Sequence, residues 1–535
     1  MFGMLGRLAA VLSLLALALA GAVEPAAAQK AGGTLRIYHR NNPPSASILE
    51  EATVDVTMAY MPVFNNLVIF DQAKQHESAD SIVPDLATSW SWDDTKTRLT
   101  LKLREGVKWH DGKPFTAKDV QCTWNMLAGK LEGGDFRRNP RKIWYFNLKD
   151  VTTNGPMEVT FHLERPQPSI LTMLAGGHSP VYPCHVPVEQ MRTRPIGTGP
   201  FKFDRLKQNE SIRVVRNPDY WKKGRPYLDA IEFTIIPNRA TGLLAFTAGK
   251  MDMTFTGEIS APLMKDIKAQ APNVVCEMLP TFTFSNLLVN RDRAPFDNPQ
   301  IRTAMAYSID RKAFIDILSQ GTAKAGGIML PPPEGRWGLP KEILETIPGY
   351  GPDVEKNRIE GRKIMESLGY TAEKPLRVKL ITRNIPSYRD SAVILIDHLK
   401  QVNIVAELDA LETAVWYNRL TKRDFSVGLN VQGVGIDDPD VVLYETFAAK
   451  SDRNYTNYDN PEIEKLFDEQ SQMTDYGARR KLVWDIDKKL QLDVARPVIA
   501  HGWAATCWQP YVKGLNLAVN TIYNHWRFED VWLDR

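Results

Sequence analysis

Apolar residues recur along this chain with two periods, and the switches between them mark out its elements. Alternation in TLRIY predicts a strand over residues 34–38, running into a polar loop at 39–45 that carries His39, Asn41, Asn42 and two prolines. A helix is expected next, around 49–65. Trp90 and Trp92 lead into the turn DDTKT, and Leu99, Leu101 and Leu103 alternate beyond it, as in a hairpin with one buried face. Thr116 and Asp119 in FTAKDV form a capping box and predict a helix over 117–127. In FDNPQIRTAMAYSIDRKAF, Asn298 stands at a helix cap and Pro299 at its first position, with Ile301, Ala304, Met305, Ser308 and Ile309 on one face.

The alternation of periods is clearest over residues 375–449. LRVKLIT reads as a strand, and Ala392, Leu395, Ile396, Leu399 and Val402 form a helical face. NIVAEL is a second strand, a short helix spans about 413–421, and FSVGLNV is a third strand. Strand, helix, strand, helix, strand means a parallel sheet with helical crossovers, so the fold class is α/β. Ligands in such sheets bind beyond the carboxyl ends of the strands. RNIPSYR and QGVGIDDPD are the loops at those ends, which brings Arg383 and Asn384 to the same sheet edge as Asp437.

The N-terminus changes the picture of where the chain works. Arg7, an apolar run over residues 8–23 and small residues at Ala26 and Ala28 read as a signal peptide over 1–28, cut before Gln29. The apolar run falls short of the roughly 20 residues a spanning helix needs. At 535 residues the chain has room for roughly three folding units of about 150 each. A balance of 66 Lys and Arg against 63 Asp and Glu, with no basic run interleaved with aromatics, argues against nucleic acid as a partner. Cys122, Cys184, Cys276 and Cys507 show no C-x-x-C spacing, which argues against zinc or a redox motif; one long-range disulfide and buried free thiols both fit. G-x-S-x-G, H-E-x-x-H, the P-loop and the Rossmann glycines are absent, so no enzyme is expected, and no metal or cofactor.

Three stretches, IVPDLATSWSWDDTKTRLTLKLREGVKWHDGKPFTAKDV, then IGTGPFKFDRL with RNPDYWKKGRPYLDAIEFTIIPN, then LLVNRDRAPFDNPQIRTAMAYSIDRKAF, occur in an order that resembles the extracellular solute-binding proteins of family 5. These are the dipeptide, oligopeptide and nickel receptors of ABC importers. The resemblance implies a bilobed periplasmic-binding-protein fold of type II with three subdomains. Residues 29–60, 195–283 and 499–535 would form the core of lobe I, 61–194 its inserted subdomain and 284–498 lobe II. Crossing segments near 281–290 and 496–504 would form the hinge. It further implies a small-molecule or short-peptide ligand, capture by lobe closure, delivery to membrane permease subunits, a periplasmic location and a monomer. Alternatives kept open are a receptor for a nickel chelate, an opine or a short sugar, and a secreted hydrolase built on carboxylates.

Candidate ligand-binding residues follow from both readings. Asp438, Pro439 and Asp440 read as an N-cap, a first-position proline and an acid at the positive end of a helix, which leaves Asp437 for the cleft. The resemblance implies an ammonium-binding aspartate three residues before Asp438, where this chain has Gly435, and an aromatic slightly upstream, where it has Gln432, Gly433 and Val434. It also implies carboxylate binding by Arg383, which a planar guanidinium suits. Asn384 is its neighbour. Arg141 and Trp144 form an R-x-x-W pair similar to one facing the cleft in the nickel branch, with His178 as a further candidate. His39 and Asn41 follow the first strand of lobe I, where the family contacts ligand, while Trp416 and Tyr417 read as core.

Overall fold

A computed structural model describes residues 29–130, 136–519 and 521–535. The expected signal peptide lies outside the described residues. Three sheets organise the chain. In the first, strand Thr34–His39 pairs in parallel with Ala230–Ile235, and Ser211–Arg216 and Phe201–Lys207 extend it antiparallel. Leu35, Ile37 and Tyr38 of the TLRIY stretch are buried.

The second sheet is antiparallel, in the order Ala87–Trp92, Arg98–Leu103, Glu158–Leu163, Leu148–Thr153. Its first hairpin turns at Asp93, whose Oδ1 accepts the backbone N–H groups of Thr97 and Arg98. Leu99, Leu101 and Leu103 face inward. Helix Ala117–Leu127 packs on this sheet, with Trp124 edge-on to Phe161 at 5.2 Å between ring centres. Its capping box is formed, Thr116 N–H donating to Asp119 Oδ2 at 2.9 Å.

The third sheet runs in the order Ile404–Leu411, Leu376–Arg383, Val427–Gly433, Val275–Val289, Val498–Trp508. Its first three strands are parallel, as the alternating periods require, and the last two are antiparallel. Leu380 turns toward the helical face of Ala392, Leu395 and Leu399, and its neighbour Ile381 turns toward Trp416 and Leu420. Helix Pro299–Ser308 is capped by Asn298, and Ile301, Ala304 and Met305 are buried on the expected face.

Two long strands tie the halves of the molecule together. Residues 275–280 pair with 503–508, where bridges from Met253 to Trp508 and from Ile259 to Ala505 attach them to the first sheet's side. Beyond a register shift between Pro280 and Phe284, the same strands continue into the third sheet. Phe282 adopts a positive φ of 47° at that break, a left-handed conformation a bulky residue rarely takes. Opposite it, Gly502 leaves room for Thr281 and Thr283, whose hydroxyls would stand 3.0 and 3.1 Å from any Cβ there. The resemblance puts the crossing segments near 281–290 and 496–504, and the break at Phe282 with Gly502 opposite it falls within those ranges.

Two expectations change. The helix predicted at 49–65 is shorter, Val54–Tyr60 followed by a single turn at Met61–Val63. Glu50 and Glu51 are drawn instead to Arg192, Arg137 and Arg138, Thr53 caps the helix start, and Pro62 lacks the N–H that would continue it. The four cysteines, for which thiols and a disulfide both fitted, form two disulfides, Cys122–Cys184 and Cys276–Cys507. Cys276 and Cys507 are direct partners in the antiparallel register, with Cα atoms 4.1 Å apart, so the second bridge staples the crossing strands at their lobe I end. Alkylation of the denatured, unreduced protein is expected to label none of these cysteines, and all four after reduction. Cys276→Ser should lower unfolding free energy by about 2–4 kcal/mol, read as a lower urea midpoint.

Candidate ligand-binding cleft

The first and third sheets present the carboxyl ends of their parallel strands to each other, and a cavity of about 670 Å³ lies between them. That volume suits a small organic ligand. Arg40, just past the strand Thr34–His39, and Arg383, the last residue of Leu376–Arg383, enter it from opposite sides. Asp55, near the start of helix Val54–Tyr60, joins them: Arg40 Nε donates to its Oδ1 at 2.7 Å and Arg383 Nη2 to its Oδ2 at 3.0 Å. Thr53 Oγ1 adds a bond of 2.5 Å.

All three ionised groups are buried, Asp55 completely. Burial alone would raise the Asp55 pKa, but Arg40 and Arg383 outweigh it and hold the carboxyl well below the usual range. Burial works against the charge on Arg383 too, and Tyr388, Tyr417 and Asp55 more than compensate. Its guanidinium stacks within 5.0 Å of the Tyr388 ring centre. Asn41 Nδ2 and Arg383 Nη2 both donate to Thr413 Oγ1, at 2.6 and 2.9 Å, a second link across the cleft.

The remaining walls divide by character. Thr281, Thr283, Gly502 and Trp503 contribute the crossing strands. Leu263, Phe314, Ile317 and Leu318 make an apolar end, where Ile317 is 62% exposed at the mouth. Interlobe ties border this mouth: Arg239 to Asp390 at 3.1 Å and Lys265 Nζ to Gln320 Oε1 at 2.6 Å. Tyr417, read as core from the sequence, lines the cavity, while Trp416 beside it is fully buried in the lobe.

The candidates from the sequence take several different positions. Arg383 lines the cavity and Asn41 holds the network beside it. His39 stands behind them, its ring nitrogens 2.6 Å from the carbonyl oxygen of Asn41 and 3.1 Å from that of Asp55, and burial lowers its pKa. Asn384 is exposed and bonds to Glu412 and Arg389. Arg141 and Trp144 are buried at the seam between the inserted sheet and lobe II. Trp144 Nε1 donates to Glu445 Oε2 at 2.6 Å, and the Arg141 guanidinium lies 5.6 Å from the Trp144 ring centre. Burial, aided by Arg453, pushes the pKa of Arg141 down to about 9.

Gln432 accepts from Arg496 Nη2 at 3.0 Å, and His178 packs against Tyr523, its pKa well below the usual value through burial and the charges of Arg141 and Arg453. Gly435 is held by Asn524 Nδ2, 2.9 Å from its carbonyl oxygen, away from the main cavity wall. Asp438 caps its helix as read, and also pairs with Arg479 at 2.7 Å, while Asp440 accepts from Ser169 and Ser471. Several cavity residues had no sequence signal: Glu258, Arg453 and Tyr523; Tyr388 lies in the RNIPSYR loop that strand order pointed to. Arg40 had a weak one, its place directly after the first strand.

Asp437 opens onto a separate interlobe cavity of about 230 Å³, beside Glu77, Arg336 and Trp337. Burial, then the neighbouring Asp438, raises its pKa to about 7. The fold therefore favours the protonated form, and this contribution is complete below the ordinary value of 3.8 and lost as pH rises through about 7. Asp437→Asn is expected to raise Tm at pH 8 by a few degrees and leave it unchanged at pH 3.5, measured by thermal denaturation across pH. Buried Asp487, also raised to about 7, keeps a residual slope of the same sign in the variant.

Comparison with known proteins agrees with this architecture. Residues 81–454 match the family model described as bacterial extracellular solute-binding proteins, family 5 Middle. The chain is 24% identical over 479 residues to the periplasmic oligopeptide-binding protein OppA of Salmonella typhimurium, covering 84% of each. It is 24% identical over 487 residues to di/tripeptide-binding protein 1 of Pseudomonas aeruginosa, covering 86% of each. Among solved structures it is similar to the periplasmic binding protein DppA from Helicobacter pylori in complex with the peptide STSA, with a TM-score of 0.81 and 21% identity over 95% of this chain and 99% of that one. A similar likeness, TM-score 0.81 and 20% identity over 94% and 99%, holds for AgaA of A. tumefaciens R10 in complex with agropinic acid. With the family model spanning most of its length and the bilobed fold matched across it, the chain belongs to the bacterial extracellular solute-binding proteins of family 5.

Proposed function

We propose that this protein is a periplasmic receptor of an ABC importer, which captures a peptide or peptide-like solute by lobe closure and hands the closed form to a membrane permease. The observation that carries this reading is the cavity walled by both lobes and bridged by the Asp55–Arg383 ion pair. Such a bridge exists only when the lobes meet. A solute touching both walls binds the closed state better than the open one, and that difference in affinity is what shifts the population. No bond has to be made or broken for this. Peptide-binding relatives, the apolar leader with its A-x-A end and the mixture of charged and apolar cavity walls support the assignment.

Closure has built-in reporters. Trp503 lines the cavity on a crossing strand and Trp144 bonds across the seam. Addition of a bound peptide is expected to change intrinsic tryptophan fluorescence saturably, with one ligand per chain. Arg383→Met removes the cross-lobe pair while Asp55 keeps Arg40, so it should weaken that affinity at least tenfold through a smaller closed population. Catalytic turnover of the peptide without stoichiometric binding would overturn the receptor reading.

A further inference from the structure

We infer that the solute is an uncharged, apolar peptide-like molecule with blocked ends, and that the helices Arg311–Ser319 and Pro386–Lys400 hold its hydrophobic part at the mouth of the cleft. This rests on the receptor reading above and names the class of solute. The first support is the charge balance of the cavity of about 670 Å³. Arg40, Arg239, Arg383 and Arg453 line it, and each is already paired within the protein. Asp55 and Glu258 hold Arg40, Asp55 holds Arg383, Asp390 holds Arg239 and Glu445 holds Arg453. Glu258 and Asp390, the carboxylates on the cavity wall, are engaged by the same pairs. Where these groups keep an atom without a partner, at Glu258 Oε2, Arg383 Nε and Arg453 Nε, that atom is sealed off by its neighbours. His501, also on the wall, has Nε2 2.7 Å from the carbonyl oxygen of Gly327, and burial lowers its pKa to about 4, which leaves it neutral. A charged solute would gain partners here only by breaking buried ion pairs, and each broken pair strands a charge away from water.

What the cavity does offer is neutral. Ser260, just before the helix Ala261–Gln270, Ser285 on the crossing strand and Ser387 on Pro386–Lys400 all line it, and no hydrogen bond joins their hydroxyls to another described residue. A hydroxyl both donates and accepts without carrying charge, which suits the C=O and N–H of an amide. The apolar end has a matching order. Phe314, Ile317 and Leu318 stand at i, i+3 and i+4 on Arg311–Ser319, and Val393 and Ile394 reach the same cavity from the adjacent helix. Ile317 is 62% exposed and Val393 58%. Single exposed apolar side chains are ordinary, but two on neighbouring helices beside one cavity form a patch that an apolar ligand covers, removing both surfaces from water together. Leu263, on Ala261–Gln270, supplies an apolar contact from a further element.

The test presents the purified protein, in native mass spectrometry, with two pools of the same apolar di- to tetrapeptides, one with free ends and one N-acetylated and C-amidated. The blocked pool is expected to be retained in preference. Calorimetry on its tightest member should give an affinity roughly tenfold or more above that of the free counterpart, with little change between low and high salt. Ile317→Asp and Val393→Asp place a charge at exposed positions, so both variants should keep the Tm of the native protein while weakening the blocked peptide by roughly tenfold or more. Equal or better retention of the free pool, or unchanged affinity in both variants, would overturn the assignment and leave the receptor standing. Failure of both pools to bind would overturn the peptide reading itself, and this assignment with it.

Discussion

Charges removed from water must find each other, and here they do so across the gap between two lobes. Arg40 follows a strand of the first sheet and Arg383 ends a strand of the third, yet both are buried together with Asp55, which holds both arginines. Burying an ion is costly, and mutual attraction offsets that cost only with close, well-directed partners. The network therefore acts less as a source of stability than as a specification of geometry. Asp55 can be buried between two guanidinium groups only when the strand ends carrying them face each other.

The crossing strands make that arrangement reachable. A continuous fifteen-residue strand, Val275–Val289, runs beside Val498–Trp508 from one lobe to the other. The register shift at 280–284 interrupts their hydrogen-bond ladder between the lobes. The disulfide between Cys276 and Cys507 fixes the pairing on one side of that interruption.

Seam contacts away from the main cavity show the same logic at lower cost. Trp144 bonds to Glu445, Ser169 to Asp440 and Arg165 to Asp468, each joining the inserted sheet's side to lobe II. Asp440 thus serves twice: its carboxylate complements the start of its own helix and accepts a hydroxyl from the other lobe. Asp437, three residues earlier, has no donor at Oδ1, and burial and the neighbouring Asp438 raise its pKa to about 7.

The sequence by itself determined most of the elements and the sheet edge that borders the interlobe cavity. Period-two and period-3.6 patterns, the Thr116–Asp119 box, the Asn298–Pro299 start and the Asp438–Pro439 start are local, and local sterics and capping decide them. Strand order places Arg383 at a carboxyl end, while the candidacy of Asn41 and the carboxylate role of Arg383 came from the family resemblance. The tertiary structure decided which charges share a cavity, because that depends on pairings between residues hundreds of positions apart. It put Asp55 between Arg40 and Arg383, moved Asp437 into a cavity of its own, sent Asn384 to the surface and paired cysteines 231 residues apart. Capping and periodicity act over a few residues and are written in the chain; desolvation and ion pairing act through space, and only the folded chain brings their partners together.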